Sequence, residues 1–343
     1  MALTVALDGH GAEQGFAVLA EGARRAAADG IDLRVFGPAE KLGLDGVDRI
    51  EVVATAESIS NQDDPVPAVR ARPDASVVRA AADVAEGRSA AMVSAGSTGA
   101  AMAAATFGLR RLKGVQRPAL AAQIPVPGTP VLFLDVGANT EVRAQHLVQF
   151  AFLGAAFSAA VLDVERPRVG LLSVGEESGK GREEVVEANA LLAAADGIDF
   201  GGNVEGGDIP AGAVDVVVTD GFTGNVALKL MEGTARTVAA AIRDAARSNP
   251  LAAAGGLMMR PALGGVRRRL HPDSTGGAIL LGLRSIAVVA HGSAGADGIA
   301  NALRLAAHSV EVDAVGSTAA LLEAGGAGRG SLARSRRPVG FER

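Results

Sequence analysis

The stretch Asp215-Val-Val-Val-Thr-Asp-Gly-Phe-Thr-Gly-Asn225, continued by Val226-Ala-Leu-Lys-Leu-Met-Glu-Gly233, reads as a buried strand, a glycine-rich turn and the opening of a helix. A short β-branched run bounded by turn residues suits a strand covered on both faces. The unit strand–turn–helix builds parallel sheets, and ligands bind at the carboxyl ends of their strands. Gly221 and Gly224 let the backbone come close to a ligand, and the free N–H groups of a helix start favour an anion there. Taken alone, the turn is equally an ordinary connection capped by Thr223.

The same unit recurs along the chain. Strands are expected near 3–7, 32–36, 50–53, 90–93, 131–135, 168–174, 215–219 and 286–289. Helices are expected near 14–28, 66–86, 98–111, 145–162, 182–195, 224–247, 276–283 and 298–308. This alternation predicts an α/β fold, a largely parallel sheet covered by helices on both sides. Residues 147–162 are the best candidate for a membrane span, but Gln149 interrupts a run short of the usual ~20 apolar residues, so a helix buried on the sheet is expected.

Composition narrows the chemistry. The 343 residues are 48% hydrophobic and 21% charged, which is a folded chain with a sizeable core. A net charge of −5 argues against general nucleic-acid binding. Without Cys there are no disulfides, thiolate metal sites or cysteine nucleophile. Five His with no HExxH spacing make a zinc site improbable on pattern. The chain opens on a strand pattern with no signal-peptide features, an expectation of cytoplasmic location. Only four of the 33 basic residues are lysines, and one of them, Lys180, stands between two glycines.

Five turns share one character: Asp8-Gly-His-Gly-Ala-Glu13, Ser94-Ala-Gly-Ser-Thr-Gly99, Asp135-Val-Gly-Ala-Asn139, Ser173-Val-Gly-Glu-Glu-Ser-Gly-Lys-Gly181 and Thr219–Asn225. Each follows a strand candidate, so all five are expected to converge on one anion-binding cleft. Gly276-Gly277 and His291-Gly-Ser293 are expected to join them. Small hydroxyls and glycines at a helix start, as in Ser94, Gly96, Ser97, Thr98 and Gly99, make a phosphate cradle. Asp8, Asp135 and Asp220 could jointly hold a metal, although Asp at strand ends more often fixes turns. The chain lacks a P-loop and a G-x-S-x-G elbow. Phosphate is itself a nucleophile that needs placement and charge neutralisation, and such a site could set it against an acyl carbonyl.

Several motifs resemble, in order, the phosphate acyltransferases of bacterial phospholipid synthesis: Val93–Ala100, Arg117–Leu120, Leu134–Asn139, His146–Gln149, Arg168–Gly175, Gly202–Glu205, Val218–Val226 and Ala290–Ser293. The likeness covers roughly residues 1–322. It implies a three-layer α/β/α sandwich similar to phosphotransacetylases and isopropylmalate-type dehydrogenases, working as a homodimer without metal or organic cofactor. It implies transfer of a fatty acyl group from acyl carrier protein to inorganic phosphate. The acyl phosphate would pass to a membrane glycerol-3-phosphate acyltransferase. On this likeness Lys180 and Asn225 take the family's functional lysine and asparagine positions, and the substrate-binding set is Asp8, Ser94, Gly96, Ser97, Thr98, Gly99, Asp135, Asn139, Asp220, Thr223, Gly276, Gly277, His291 and Ser293. The first turn departs from the family's Asp-Ala-Met-Gly-Gly-Asp, and Ser97 replaces Asn in the second.

Two segments break the alternation. Residues 249–271 read as a protruding pair of short helices, with Leu257, Met258, Met259 and Arg260 suited to contact an anionic membrane surface; packing on a second subunit is the alternative. Residues 323–343 read as a disordered basic tail. Three rival functions are a phosphotransacetylase-like enzyme using acyl-CoA, a metal-dependent 2-hydroxy-acid dehydrogenase and a non-catalytic membrane scaffold.

Overall fold

The computed structural model describes residues 3–269 and 272–328. The strands are β1 (Thr4–Asp8), β2 (Asp32–Gly37), β3 (Ile50–Ala54), β4 (Ala91–Ser94), β5 (Ala119–Ile124), β6 (Val131–Leu134), β7 (Arg168–Leu172), β8 (Asp199–Val204), β9 (Val216–Val218), β10 (Ala278–Leu281) and β11 (Ile286–Val289). The helices are α1 (Phe16–Ala28), α2 (Ala39–Leu42), α3 (Pro65–Ala71), α4 (Ser76–Ala85), α5 (Thr98–Gly108), α6 (Ala144–Val161), α7 (Glu183–Ala193), α8 (Asp208–Ala211), α9 (Gly221–Ala245), α10 (Pro250–Arg269), α11 (Ala296–Glu311) and α12 (Ala314–Ala324).

Among the described residues the strands form one sheet of eleven, ordered β3-β2-β1-β4-β11-β10-β5-β6-β9-β7-β8. Alternate residues feed opposite faces. Val5, Leu7, Leu132, Leu134, Val216 and Val218 join the core under α1, α6, α7, α11 and α12. Ala6, Phe133 and Val217 join the core under α3, α4, α5 and α8, against which Ala227, Leu228 and Met231 of α9 also pack. The result is the expected three-layer sandwich. Among the described residues α6 is the one helix apolar and long enough to cross a membrane, and it is 89% buried between sheet and α12. Its Gln149 accepts a hydrogen bond from the Gln116 amide and donates to the carbonyls of Gly114 and Ala327, so this polar interruption of the helix has its partners inside.

Five elements differ from expectation. The run 276–283 is a strand, not a helix: Gly276, Gly277 and Gly282 all have positive φ, which no helix interior tolerates, and they bracket β10. β5 is alanine-rich and β8 carries Gly201-Gly202, so neither shows a clear strand pattern. Pro73 splits the expected helix 66–86 into α3 and α4. Of the expected tail 323–343, the described residues are packed on the fold: α12 runs to Ala324, Ala327 is buried, and a Cβ on Gly325 would lie 2.1 Å from Phe152. Residues 329–343 lie outside the described part.

The missed strands matter most. β10 pairs antiparallel with β11 and with β5, and β5 pairs antiparallel with β6, while every other neighbour is parallel. Strands β3, β2, β1, β4 and β11 therefore run one way, and β6, β9, β7 and β8 run the other.

Candidate functional site

At one edge of the sheet β1, β4 and β11 end level, with Asp8 beside Ser94 and Ser94 beside Val289. Ser94 Oγ donates to Asp8 Oδ2 at 2.7 Å, the His10 amide donates to Asp8 Oδ1 at 3.2 Å, and the Gly96 amide donates to Ser94 Oγ at 3.2 Å. A Cβ on Gly96 would stand 3.0 Å from the His10 carbonyl, so glycine lets the two turns approach closely. Ser97 caps α5, accepting from the Ala100 amide at 3.5 Å; Thr98 after it is exposed, and Gly99 lies against Pro65, 2.6 Å from where its Cβ would stand. Burial pushes the Asp8 carboxyl up to about 6, against the opposing hydrogen bonds of Ser76, Ser94 and His10. The His10 imidazole is held below its ordinary value by burial and by Lys41.

The turn after β11 completes this edge. The Ser293 amide and hydroxyl both reach His291 Nδ1, at 3.2 and 2.7 Å. An amide only donates, so Nδ1 is the acceptor and the neutral ring carries its proton on Nε2. Nε2 points toward Glu232 of α9 at 3.9 Å, and the Glu13 amide donates to the Gly292 carbonyl at 3.1 Å. Gly276 and Gly277 have a structural duty here, since Cβ atoms would meet the Asn301 carbonyl at 2.7 Å and the Val289 carbonyl at 2.5 Å.

The opposite edge holds the ends of β6, β9 and β7. Asp135 Oδ1 accepts from the amides of Leu120, Gly137 and Ala138, and Oδ2 accepts from the amide and the side chain of Asn139. Burial raises its pKa while these bonds oppose the rise. Five donors fill this carboxylate and make it the anchor of its own turn. Asp220 caps α9, accepting from the Thr223 amide at 2.9 Å, from the Thr223 hydroxyl at 2.7 Å and from Arg182. Burial pushes Asp220 up, but Thr223 and Arg182 outweigh it and hold the carboxyl below its ordinary value. Asn139 donates to the Pro118 carbonyl and accepts from Arg117.

Asn225 sits in the first turn of α9 against Gly137, whose Cβ would lie 4.0 Å from Asn225 Cγ. Lys180 is exposed on a turn closed by Ser173 Oγ donating to the Lys180 carbonyl at 2.9 Å. Two residues on, Arg182 grips Asp220 and so ties the turn that carries Lys180 to the turn that opens α9. Behind it, burial and the cations Arg117 and Arg143 lower His146 to about 4, leaving a neutral ring at physiological pH.

The seven turns expected in one cleft therefore divide. Asp8, Ser94–Gly99, Gly276-Gly277 and His291–Ser293 lie at one edge, while Asp135–Asn139, Ser173–Gly181 and Thr219–Asn225 lie at the other. The cause is the polarity reversal through β10, β5 and β6. Five strand spacings separate β4 from β9 and six separate β4 from β7 in the sheet order, or roughly 24 and 29 Å at about 4.8 Å each. Helix α9 spans the two edges, with its root against the Asp135 turn and its Glu232 3.9 Å from His291. Sequence reading included Glu13 in the first turn and Arg117 in a family motif, but missed Arg182 and Glu232 as site neighbours. Arg182 had a signal, two residues after Lys180, but Glu232 had none, because its partner is 59 residues away.

Beyond the sheet, α9 and α10 form the protruding hairpin. It is one long helix against the end of another, not two short helices: Asn249 caps α10 through the Ala252 amide, and a Cβ on Gly256 would stand 3.0 Å from Ala246. Leu251, Leu257, Met258 and Met259 are exposed. The Arg260 side chain lies outside the described part.

Comparison with known proteins places these edges in a family. The model of a family described as fatty acid synthesis protein matches residues 3–316. The phosphate acyltransferase of Elusimicrobium minutum is 41% identical over 317 residues, 90% of this chain and 93% of that one. The phosphate acyltransferase of Geobacillus thermodenitrificans is 40% identical over 94% of this chain and 99% of its own. Among solved structures, a branched-chain phosphotransacylase from Enterococcus faecalis matches with TM-score 0.57 and 16% identity, over 90% of this chain and 99% of that one, a likeness of fold.

The raised Asp8 pKa has a consequence for stability. Between its unfolded value of 3.8 and its folded value of about 6, the folded state holds the proton more tightly, so stability falls as pH rises through this window. Above it the buried charge costs roughly 3 kcal/mol at about 1.36 kcal/mol per unit. Asp8→Asn is expected to unfold at higher temperature than the native chain at pH 8, with the difference gone below pH 4. Equal melting profiles at pH 8 would contradict it.

Proposed function

This chain belongs to the phosphate acyltransferase family, and from that premise we propose that it moves a long-chain fatty acyl group from acyl carrier protein to inorganic phosphate. The observation that carries the reading is a hydroxyl- and glycine-lined cradle at the start of α5, together with an exposed lysine and a helix-end asparagine on the same scaffold. A phosphate oxygen attacks the thioester carbonyl carbon, and a C–O bond forms. Collapse of the tetrahedral intermediate breaks the C–S bond. The carrier's phosphopantetheine thiolate leaves readily, its parent thiol having a pKa near ~8.5, and takes up the proton that hydrogen phosphate gives up. Lys180 offsets charge on the phosphate or on the oxyanion, and Asn225 donates to the carbonyl oxygen. Asp135, Asp220 and Arg182 hold the turns that aim these two.

The split between the edges favours a homodimer as the working unit. A two-fold axis that set the Lys180–Asn225 edge of one protomer over the cradle of its partner would complete such a site. The product, a mixed anhydride with a long apolar tail, favours a site beside a bilayer. The exposed Leu251, Leu257, Met258 and Met259 suit shallow insertion at the inner face of the cell membrane, where a glycerol-3-phosphate acyltransferase would consume the acyl phosphate.

Palmitoyl-acyl carrier protein and phosphate are expected to give phosphate-dependent thiol release. Lys180→Ala and Asn225→Ala should each reduce turnover by ~10²–10³ while circular dichroism is retained. Preference for acetyl-CoA over the carrier-bound donor would assign the enzyme to short acyl-CoA instead. Co-expression of Lys180→Ala with Ser97→Asp tests the shared site: Asp still caps α5 but repels phosphate. Random pairing leaves one intact site in each mixed dimer and should restore about a quarter of native activity. No recovery would place the whole site in one chain. Leu257→Glu/Met258→Glu should abolish flotation with vesicles containing anionic lipid; unaltered flotation would exclude the hairpin as the contact.

A further inference from the structure

The turn that presents Lys180 is held on both sides of that residue. The Lys180 amide donates to the Glu177 carbonyl at 2.9 Å, and the Lys180 carbonyl accepts from Ser173 Oγ at 2.9 Å. The lysine stem crosses Gly175, where a Cβ would lie 3.1 Å from Lys180 Cγ and 3.5 Å from Cδ. Both anchors are tied to β8, the last strand of the sheet. The Ser173 amide donates to the Val204 carbonyl at 2.9 Å, and Asn203 Nδ2 donates to the Glu177 carbonyl at 2.8 Å. One carbonyl thus receives the Lys180 amide and the Asn203 side chain together.

Asn203 is 6% exposed, and α7 fixes its orientation: Asn189, also 6% exposed, donates through Nδ2 to Asn203 Oδ1 at 2.9 Å. With Oδ1 accepting from Asn189, Nδ2 is the end that faces Glu177. Strand pairing brings the side chain to that place. Phe200 stands opposite Val169 but Asn203 stands opposite Leu171, so β8 carries one more residue than β7 between these pairs. Side chains alternate between faces along a strand. Without the extra residue Gly202 would oppose Leu171, and Asn203 would point to the other face, away from α7. Gly202, at φ 90°, accommodates the bulge.

Resting on the role given to Lys180 above, we propose that Asn203 is a positioning residue for Lys180, aimed at its turn by the β8 bulge and by Asn189. A lysine between two glycines would otherwise carry its ammonium through a wide arc. Bonds at its N–H and C=O, with the stem against Gly175, leave the tip alone free to meet a developing charge. The Glu177 bond to Lys180 closes the turn, and the Asn203 bond fixes that closed turn to the sheet. Arg182 ties the far side of the turn to Asp220, so it is held from β8 and from α9 at once. An apolar pair would fill the space between α7 and β8 without burying two amides.

Asn203→Asp is nearly isosteric and still accepts from Asn189, but has no donor for the Glu177 carbonyl. With palmitoyl-acyl carrier protein and phosphate, kcat/KM is expected to fall about tenfold or more. Made in Lys180→Ala, the same substitution should change the residual rate by no more than about twofold, because a residue acting through Lys180 then has nothing to act through. Equal losses in both backgrounds mean general damage to the fold and would overturn the proposal, as would native turnover in Asn203→Asp. A second readout is independent of acyl transfer. The chain contains no cysteine, so Lys180→Cys takes a single nitroxide whose line shape reports the order of the turn. Adding Asn203→Asp should narrow that spectrum, and an unchanged spectrum overturns the proposal. If circular dichroism shows Asn203→Asp unfolded, Asn189→Ala replaces it: the Asn203 amide is freed to rotate, with a loss of about fivefold and the same dependence on Lys180. A native chain inactive with every acyl donor would sink the acyl-transfer reading, and the nitroxide alone then decides whether Asn203 orders the turn.

Discussion

Antiparallel hydrogen bonding between Ala278–Leu281 and Ala119–Ala122 governs where every other group in this molecule can stand. Each strand is short, four and six residues, and neither carries a site residue. Yet together with the β5–β6 pairing they turn the second half of the sheet upside down relative to the first. Carboxyl ends that would share one crevice in a uniformly parallel sheet end up at opposite rims. The Ser94–Gly99 turn and the turns that carry Lys180 and Asn225 inherit that separation.

The two rims treat their carboxylates differently, and the difference follows from donor supply. Asp135 receives five donors and Asp220 three, so each ionised group is held by its own turn and has little capacity left for a ligand. Asp8 receives fewer bonds against complete burial, and its proton affinity rises accordingly. A site that must receive a multiply charged anion gains from such a neighbour, because a carboxyl near protonation repels phosphate less than a fixed charge does.

Much of the layered architecture was legible because β-branched runs such as Val216–Val218 and Ile286–Val289 alternate with helical patterns. The individual turns were legible too, since glycine is demanded wherever two loops touch, as at Gly96 or at Gly224, where a Cβ would fall 1.9 Å from the Asp135 carbonyl. What stayed hidden was direction. Ala119–Ile124 is too alanine-rich to announce a strand, and Ala278–Leu281 is an apolar run too short for periodicity to separate strand from helix. Strand polarity is a non-local property, and without those two strands the turns seemed to share one rim. Contacts such as His291–Glu232 were beyond reach for the same reason.

Helix α9 is continuous for 25 residues, about 37 Å. Its first half is clamped by Asp220, by the Asp135 turn and by the sheet, and its second half stands free of the core. A rod fixed in this way is a cantilever. Force applied at the tip is carried to the root, where Asn225 sits, with no hinge between to absorb it. A load on the hairpin and strain in the first turn are thus the same deformation seen from two ends.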